Sequence, residues 1–458
     1  MIDNSTICAI STATGSGGIA VIRISGTEAF NICDKIFVPK SGKNNIATQK
    51  PYTIQFGEIR NNNEIIDEVL ISVFKNPNSY TGEDTIEISC HGSVYVQQKI
   101  LELLINNGAS LAKAGEFTQR AFLNGKLDLA QAEGVADLIA SESEAAHRLA
   151  MQQMKGSFSE KLNSLRDSLI HFVSLIELEN DFAEEDVVFA DRTQLNLIID
   201  DIDRLLTELV SSFSYGNAIK NGVPVAIVGR PNAGKSTLLN TLLEENRAIV
   251  SEIAGTTRDT IEEVFNINGT QFRFIDTAGL RETTDEIEKI GVDRALEKID
   301  KSSVYIYLFD INSVSLKDVQ ADLKELNNNI PRIIVANKTD LVSKEKIQEF
   351  KNTDFNSVFI SAKKDKSLDS LKEQLLNNIN KDFVKPGNII VSNVRHYEAL
   401  VKAQESIKET KEGIASGLST DLIALDIRNA IYNIGEITGE ISNNEVLGNI
   451  FGRFCIGK

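Results

Sequence analysis

Long apolar runs, cysteine and positive charge are all scarce in this sequence, and each shortage excludes something. No stretch approaches the ~18–20 consecutive apolar residues that a membrane-spanning helix needs. The opening residues, MIDNSTICAI, carry no basic region followed by an apolar segment, so a cytoplasmic protein with no membrane association is expected. The four cysteines, Cys8, Cys33, Cys90 and Cys455, are scattered, with no CxxC pair and no His/Cys cluster at zinc spacing. A disulfide framework is therefore excluded as an organising principle. Lys and Arg number 48 against 65 Asp and Glu, a formal net charge of −17. A protein that grips nucleic acid by itself needs a basic face to neutralise phosphates. If the substrate is RNA, something else carries much of it.

The chain has 458 residues, 42% hydrophobic and 25% charged, the balance of a globular protein. At roughly 150 residues per domain this suggests about three domains. Residues 1–118 read as mixed α/β, with strands near 19–24, 52–59, 69–74 and 85–89 and an amphipathic helix over 93–107. Residues 119–215 read as helical. Leu162, Leu165, Leu169, Phe172 and Ile176 recur at spacings of 3 and 4 on one helix face, which predicts the core of a bundle rather than a coiled-coil arm. Over 216–380 short β-branched runs (225–228, 272–275, 304–309, 333–335, 358–360) alternate with helical segments, which predicts a parallel sheet covered on both faces. Helical periodicity returns over 381–458, where Ile427, Ile431 and Ile434 share a face. The expected architecture is an N-terminal α/β domain and a helical domain split in sequence by an inserted α/β domain.

That inserted stretch carries four mutually spaced motifs. Gly229, Arg230, Pro231, Asn232, Ala233, Gly234, Lys235 and Ser236 match GxxxxGK[ST] between a strand and a helix that continues with Thr237. Successive amides there form an anion nest, Lys235 reaches the β and γ phosphates, and Ser236 suits Mg²⁺. Asp276, Thr277, Ala278 and Gly279 follow a strand end, where the Asp can hold the Mg²⁺ shell and the Gly amide can meet the γ-phosphate. Asn337, Lys338, Thr339 and Asp340 end a later strand, and Asp340 can accept from guanine N1 and N2, a donor pair that adenine lacks. Ser361, Ala362 and Lys363 end the last strand and can close over the base. All four sit at strand C-terminal ends, where open α/β sheets bind ligands. The nucleotide is a guanine nucleotide.

Residues 222–380 resemble the P-loop GTPase domains of the translation-factor class. By that resemblance Ser251, Glu252, Ile253, Ala254, Gly255, Thr256 and Thr257 border the nucleotide, with Thr257 on Mg²⁺. One departure matters. A Ras-like enzyme places Gln after DxxG to orient the attacking water, whereas this sequence has Leu280. Glu288, on a nearby segment, is the candidate for that task. Asn232 offers a side-chain carbonyl to a monovalent cation lying against the phosphates.

The ends of the chain extend the resemblance. The stretch 17–26 (GGIAVIRISG), Tyr80–Glu87 (YTGEDTIE), residues 115–133 (GEFTQRAFLNGKLDLAQAE) and the tail Cys455, Ile456, Gly457 and Lys458 are similar to signatures of the bacterial MnmE (TrmE) family of tRNA-modification GTPases. The similarity spans the chain and is weakest in the helical arms. It implies an N-terminal domain that binds a one-carbon folate, 5,10-methylene- or 5-formyl-tetrahydrofolate, through Arg23, Glu87, Lys126 and Lys458. It implies K⁺ held by Asn232, Ser251, Ile253 and Thr256, a functional thiol at Cys455, and a homodimer. It also implies a flavoprotein partner, MnmG (GidA), which carries FAD and NADH and holds much of the tRNA. The joint product is an aminomethyl-type, carboxymethylaminomethyl group at C5 of the wobble uridine. His91 beside Cys90 lacks further ligands and reads as structural. The competing readings are a ribosome-assembly GTPase switch of the Era or Der kind and a GTP-gated scaffold without folate chemistry. Against the former, the sequence has one GTPase domain and no KH-like segment after it.

A water-orienting Glu288 acts in the transition state and little in ground-state binding. Glu288→Ala is expected to slow GTP hydrolysis by ~10²-fold or more with GTP affinity nearly unchanged. A near-normal single-turnover rate would transfer the role, with Glu282 the next candidate.

Overall fold

A computed structural model describes residues 5–40, 42, 45–181, 192–247, 263–275, 291–326, 329–364, 368–378, 389–441 and 444–457. The chain divides into two compact units. One comprises Met1–Ala136, Gln153–Asp167 and Ile431–Lys458; the other comprises Asp137–Gln152 and Ser168–Ala430.

The first unit is built on a seven-stranded sheet: β1 (Ile7–Ile10), β2 (Ile19–Ser25), β3 (Phe37–Pro39), β4 (Thr53–Asn61), β5 (Glu64–Phe74), β6 (Thr85–His91) and β7 (Ser110–Leu111), in the order β3-β4-β5-β6-β2-β1-β7. Every pair is antiparallel except β1 with β7. Period-2 alternation gives this sheet two faces. Ile22, Ile24, Ile71, Val73, Ile86 and Ile88 pack under the helices Ala29–Ile36 and Val94–Asn106. The opposite face carries Arg23, paired in register with Glu87, which in turn pairs with Ser72. At one end of that face, Phe117 from the helix Glu116–Leu123 packs with Ile7, Ala9 and Ala112. The four strands read from the sequence are present, while β1, β3 and β7 went unread because each has four residues or fewer.

The second unit holds a six-stranded sheet: β8 (Val223–Val228), β9 (Glu263–Ile267), β10 (Thr270–Phe274), β11 (Val304–Asp310), β12 (Arg332–Asn337) and β13 (Val358–Phe359), in the order β13-β12-β11-β8-β10-β9. The expectation of a parallel sheet needs one correction. The edge strand β9 runs antiparallel to β10, joined through an Asn268-Gly269 turn with both residues at positive φ. Such a turn suits a two-residue hairpin, and a hairpin can only be antiparallel. The other pairings are parallel, and the central strand β11 is buried on both sides. In β11, Val304, Ile306 and Leu308 enter one core, while Tyr305, Tyr307 and Phe309 enter the other. Both faces of the strand are thus apolar, as parallel strands require.

The long helices Arg192–Asn221 and Val394–Ser416 come from either side of the inserted α/β segment and pack together. Phe213 stacks on Tyr397 at 4.3 Å, and Lys411 bridges Asp200 at 2.8 Å and Asp203 at 3.0 Å. The helical domain is therefore discontinuous in sequence. In the helix Ser157–Asp181 all five stripe residues, Leu162, Leu165, Leu169, Phe172 and Ile176, are buried. Ile427 and Ile434 are buried, and Ile431 between them is half-buried. Among the described residues no helix is long and apolar enough to cross a membrane.

Candidate functional site

In the second unit the loop after β8 turns tightly into the helix Lys235–Arg247. Asn232 takes φ +59° and Gly234 φ +96°, and a Cβ at Gly234 would run into Nδ2 of Asn337. Glycine is required there by close approach as well as by dihedral. The Lys235 ammonium donates to the carbonyls of Gly229 (2.7 Å) and Arg230 (2.9 Å). Burial pulls its pKa below the usual lysine range, and the neighbouring positive charge of Lys298 adds to the effect. A desolvated cation beside a nest of amides is a strong attractor for phosphate oxygens. Ser236 and Thr237 follow on the first turn of the same helix.

Asn337 joins three of the predicted stretches. It is 2% exposed; its Nδ2 donates to Ala233 O at 2.8 Å, and its Oδ1 accepts from the amides of Lys338 (2.8 Å) and Ala362 (3.0 Å). One buried carboxamide thus holds the phosphate-type loop, the strand end at 337–340 and the strand end at 361–363 in register. Lys338, at φ +63°, donates to Asn232 O and to Asp310, each at 2.8 Å. Thr241 on the helix donates to Ala362 O at 2.8 Å. The Asp340 carboxylate accepts from Ser361 Oγ at 2.7 Å and pairs with Lys364 at 3.1 Å. Those two partners, Ser361 first, hold its carboxyl below the usual carboxylate range, so it stands ready as an acceptor. Lys363 is exposed at the rim. Ser251, Glu252, Ile253, Ala254, Gly255, Thr256, Thr257, Asp276, Thr277, Ala278, Gly279 and Glu288 lie outside the described residues.

The first unit holds the other candidate group. Arg23 donates through Nε (3.0 Å) and Nη2 (2.7 Å), and both bonds end on Oε1 of Glu87. The guanidinium also lies over the rings of Tyr80 (5.2 Å) and Phe117 (5.6 Å). Cation–π contact on two sides and a carboxylate on the third fix its plane. Lys126 is exposed, with its side chain against Gly82 in the turn that follows Tyr80. The tail lies on the same unit: Ile456 forms an antiparallel bridge with Ala114, the Gly115 amide donates to Cys455 O at 3.3 Å, and Ser11 Oγ donates to Gly457 O at 3.0 Å. Cys455 is exposed, and Lys458 lies outside the described residues.

Several contributors escaped the sequence reading. Tyr80 and Phe117 sit inside quoted motifs, but their stacking on Arg23 needs the sheet to bring them together. Asp310 ends β11 as a lone carboxylate after an apolar run, the one signal that could have marked it. Arg120 is buried and paired with Glu83 (3.1 Å) and Glu116 (3.0 Å), which ties two of the motifs to each other. His91 is paired with Asp67 at 2.7 Å, and no group of three metal-ligating side chains occurs among the described residues.

Comparison with known proteins bears on the whole chain. The family described as "GTP-binding protein TrmE N-terminus" matches residues 6–126, and "MnmE helical domain" matches residues 129–455. The chain is 54% identical to the tRNA modification GTPase MnmE of Flavobacterium johnsoniae and 51% identical to that of Bacteroides thetaiotaomicron, with 100% of each chain covered in both comparisons. The chain belongs to the MnmE family. Among solved structures, Aquifex aeolicus Era with GDP and AlF4⁻ is 30% identical over 40% of this chain and 66% of that one, with a TM-score of 0.27. The MnmE signatures at both ends of the chain supply Arg23, Tyr80, Glu87 and Phe117 around one place on the first unit, with the tail docked on the same unit.

Replacing Asn337 by Ala strands Ala233 O and Ala362 N without their partner, at a cost of about 1–3 kcal/mol for each buried group left unpaired. Asn337→Ala is expected to weaken binding of a fluorescent guanine nucleotide by about tenfold or more. Unchanged affinity would show that the loops hold their register without it.

Proposed function

We propose that this member of the family hydrolyses GTP in the second unit and uses a one-carbon folate in the first to modify tRNA. The product is a carboxymethylaminomethyl-type group at C5 of the wobble uridine, made with the flavoprotein MnmG, which supplies FAD and NADH and holds most of the tRNA. The observation that carries the reading is the Arg23–Glu87 pair. Because both arginine bonds end on Oε1, Oε2 is left for the amino and ring N–H donors of a pterin. The aromatic walls, Tyr80 and Phe117, suit a flat heterocycle. Lys126 and Lys458 are the cations for its carboxylates. Delegating RNA to a partner agrees with the net charge of −17.

In the GTP site this chain's residues bind and orient. The loop amides and Lys235 take the phosphates, Asp340 takes the guanine edge, and Glu288 orients water. Ser236 and Thr257 are the candidates for Mg²⁺, and Asn232, Ser251, Ile253 and Thr256 for K⁺. Both ions neutralise phosphate charge, and Leu280 offers nothing in place of the missing Gln.

The working unit is proposed as a cytoplasmic homodimer. Ile54 (66% exposed), Phe56 (48%) and Leu70 (45%) form an apolar patch. Register places them on the sheet face of Glu87, through Ser72↔Ile54 and Phe56↔Leu70. A second copy is the natural cover for such a face.

Wobble-nucleoside analysis of tRNA from a strain lacking this protein decides the function: the modified uridine should be lost and its unmodified precursor should accumulate. Normal nucleosides with a ribosome-assembly defect would favour the Era-like switch instead. GTP hydrolysis is expected to be faster in K⁺ than in matched Na⁺ buffer. Equal rates would remove K⁺ from the mechanism.

A further inference from the structure

The tail is held to the first unit by its main chain. Among the described residues two contacts hold it: the Ala114↔Ile456 bridge, which is closed by Gly115 N–H to Cys455 O at 3.3 Å, and Ser11 Oγ–H to Gly457 O at 3.0 Å. None uses the Cys455 thiol, and the Ile456 side chain is 60% exposed. Two glycines make the fit possible. Gly457 takes φ +94°, and a Cβ there would run into the carbonyl of Ile10, the last residue of β1. Gly115 takes φ +66°, and a Cβ there would lie 2.6 Å from Phe451 O. A side chain at either place meets backbone, which cannot rotate away, and a positive φ besides.

What the tail grips is adjacent to the Arg23 site. Gly115 is the residue immediately before the helix Glu116–Leu123, whose second residue, Phe117, lies under the Arg23 guanidinium. Ala9 of β1 pairs in register with Arg23, and Ser11 follows that strand. The chain from tail to site is therefore short: Cys455 O to the Gly115 amide, then two residues to the Phe117 ring, then Arg23 and Glu87.

We propose that residues 455–457 form a backbone latch, with Gly457 and Gly115 as positioning residues that hold Phe117 and Arg23 in place for the folate. This rests on the folate reading above and adds to it a role for the tail that is independent of the thiol. Deprived of the latch, the start of the helix Glu116–Leu123 loses a fixed anchor, and the Arg23 plane loses one of its walls.

The test uses the full chain with two readouts. Hydrogen exchange without ligand reports the latch at the Gly115 amide and the following turn. Equilibrium titration with 5-formyltetrahydrofolate reports the site. Gly457→Ala and Gly115→Ala are expected to lose protection at 115–118 and to bind the folate about tenfold more weakly, as loss of positioning would produce. Ile456→Ala, whose backbone is unchanged, should match the wild type in both. Cys455→Ser should keep the Gly115 amide protected. If Gly457→Ala keeps either wild-type protection or wild-type affinity, the latch is refuted. If the wild type itself does not bind the folate, the folate reading falls, and exchange at 115–118 in Gly457→Ala alone decides whether a latch exists.

Discussion

The nucleotide site depends on one buried carboxamide. Asn337 donates to one loop and accepts from two backbone amides, so three segments far apart in sequence share a common reference. Each bond alone contributes little net stability, since unfolded groups bond to water instead. Their value is geometric: the loop proposed for the phosphates and the carboxylate proposed for the base can serve one nucleotide only if their separation is fixed. Lys338, stretched between Asn232 O and Asp310, reinforces the same joint from the other side. The site is held by short polar contacts laid over a sheet whose central strand is apolar on both faces.

The first unit meets a different constraint. Its sheet has one face committed to a core under two helices, which leaves the other face for charged side chains. There a charged pair sits between aromatic rings, with an apolar patch on the neighbouring strands. Arginine suits this place better than lysine because its flat guanidinium can stack and bond at once. The buried Arg120, paired with Glu83 and Glu116, joins the turn bearing Tyr80 to the helix bearing Phe117. Breaking a buried pair leaves a charge without compensation, which makes such a joint costly to break. The tail's docking by main-chain bonds places Cys455 beside this region while leaving its thiol exposed.

Much of this was legible beforehand, and for identifiable reasons. The phosphate loop, the 337–340 stretch and the 361–363 stretch are local patterns whose residue types are dictated by what they contact, so spacing alone reveals them. The buried stripe from Leu162 to Ile176 follows from helical period. By contrast, β1, β3 and β7 are too short to show a period, and the edge hairpin β9–β10 is hidden because its two-residue Asn268-Gly269 turn lies inside a stretch whose other strands pair in parallel.

The sequence by itself determined the longer strands and helices, the guanine-nucleotide pattern and the family, because those reside in residue identity and near-neighbour spacing. Only the tertiary structure decided which residues work together. That Arg23 stacks on Tyr80 and Phe117, that Asn337 spans 104 residues to reach Ala233, and that Gly457 meets Ile10 from the far end of the chain are consequences of sheet register and packing. Contacts of that kind join positions with no shared periodicity, so their physical cause lies in the folded surfaces rather than in any local stretch of sequence.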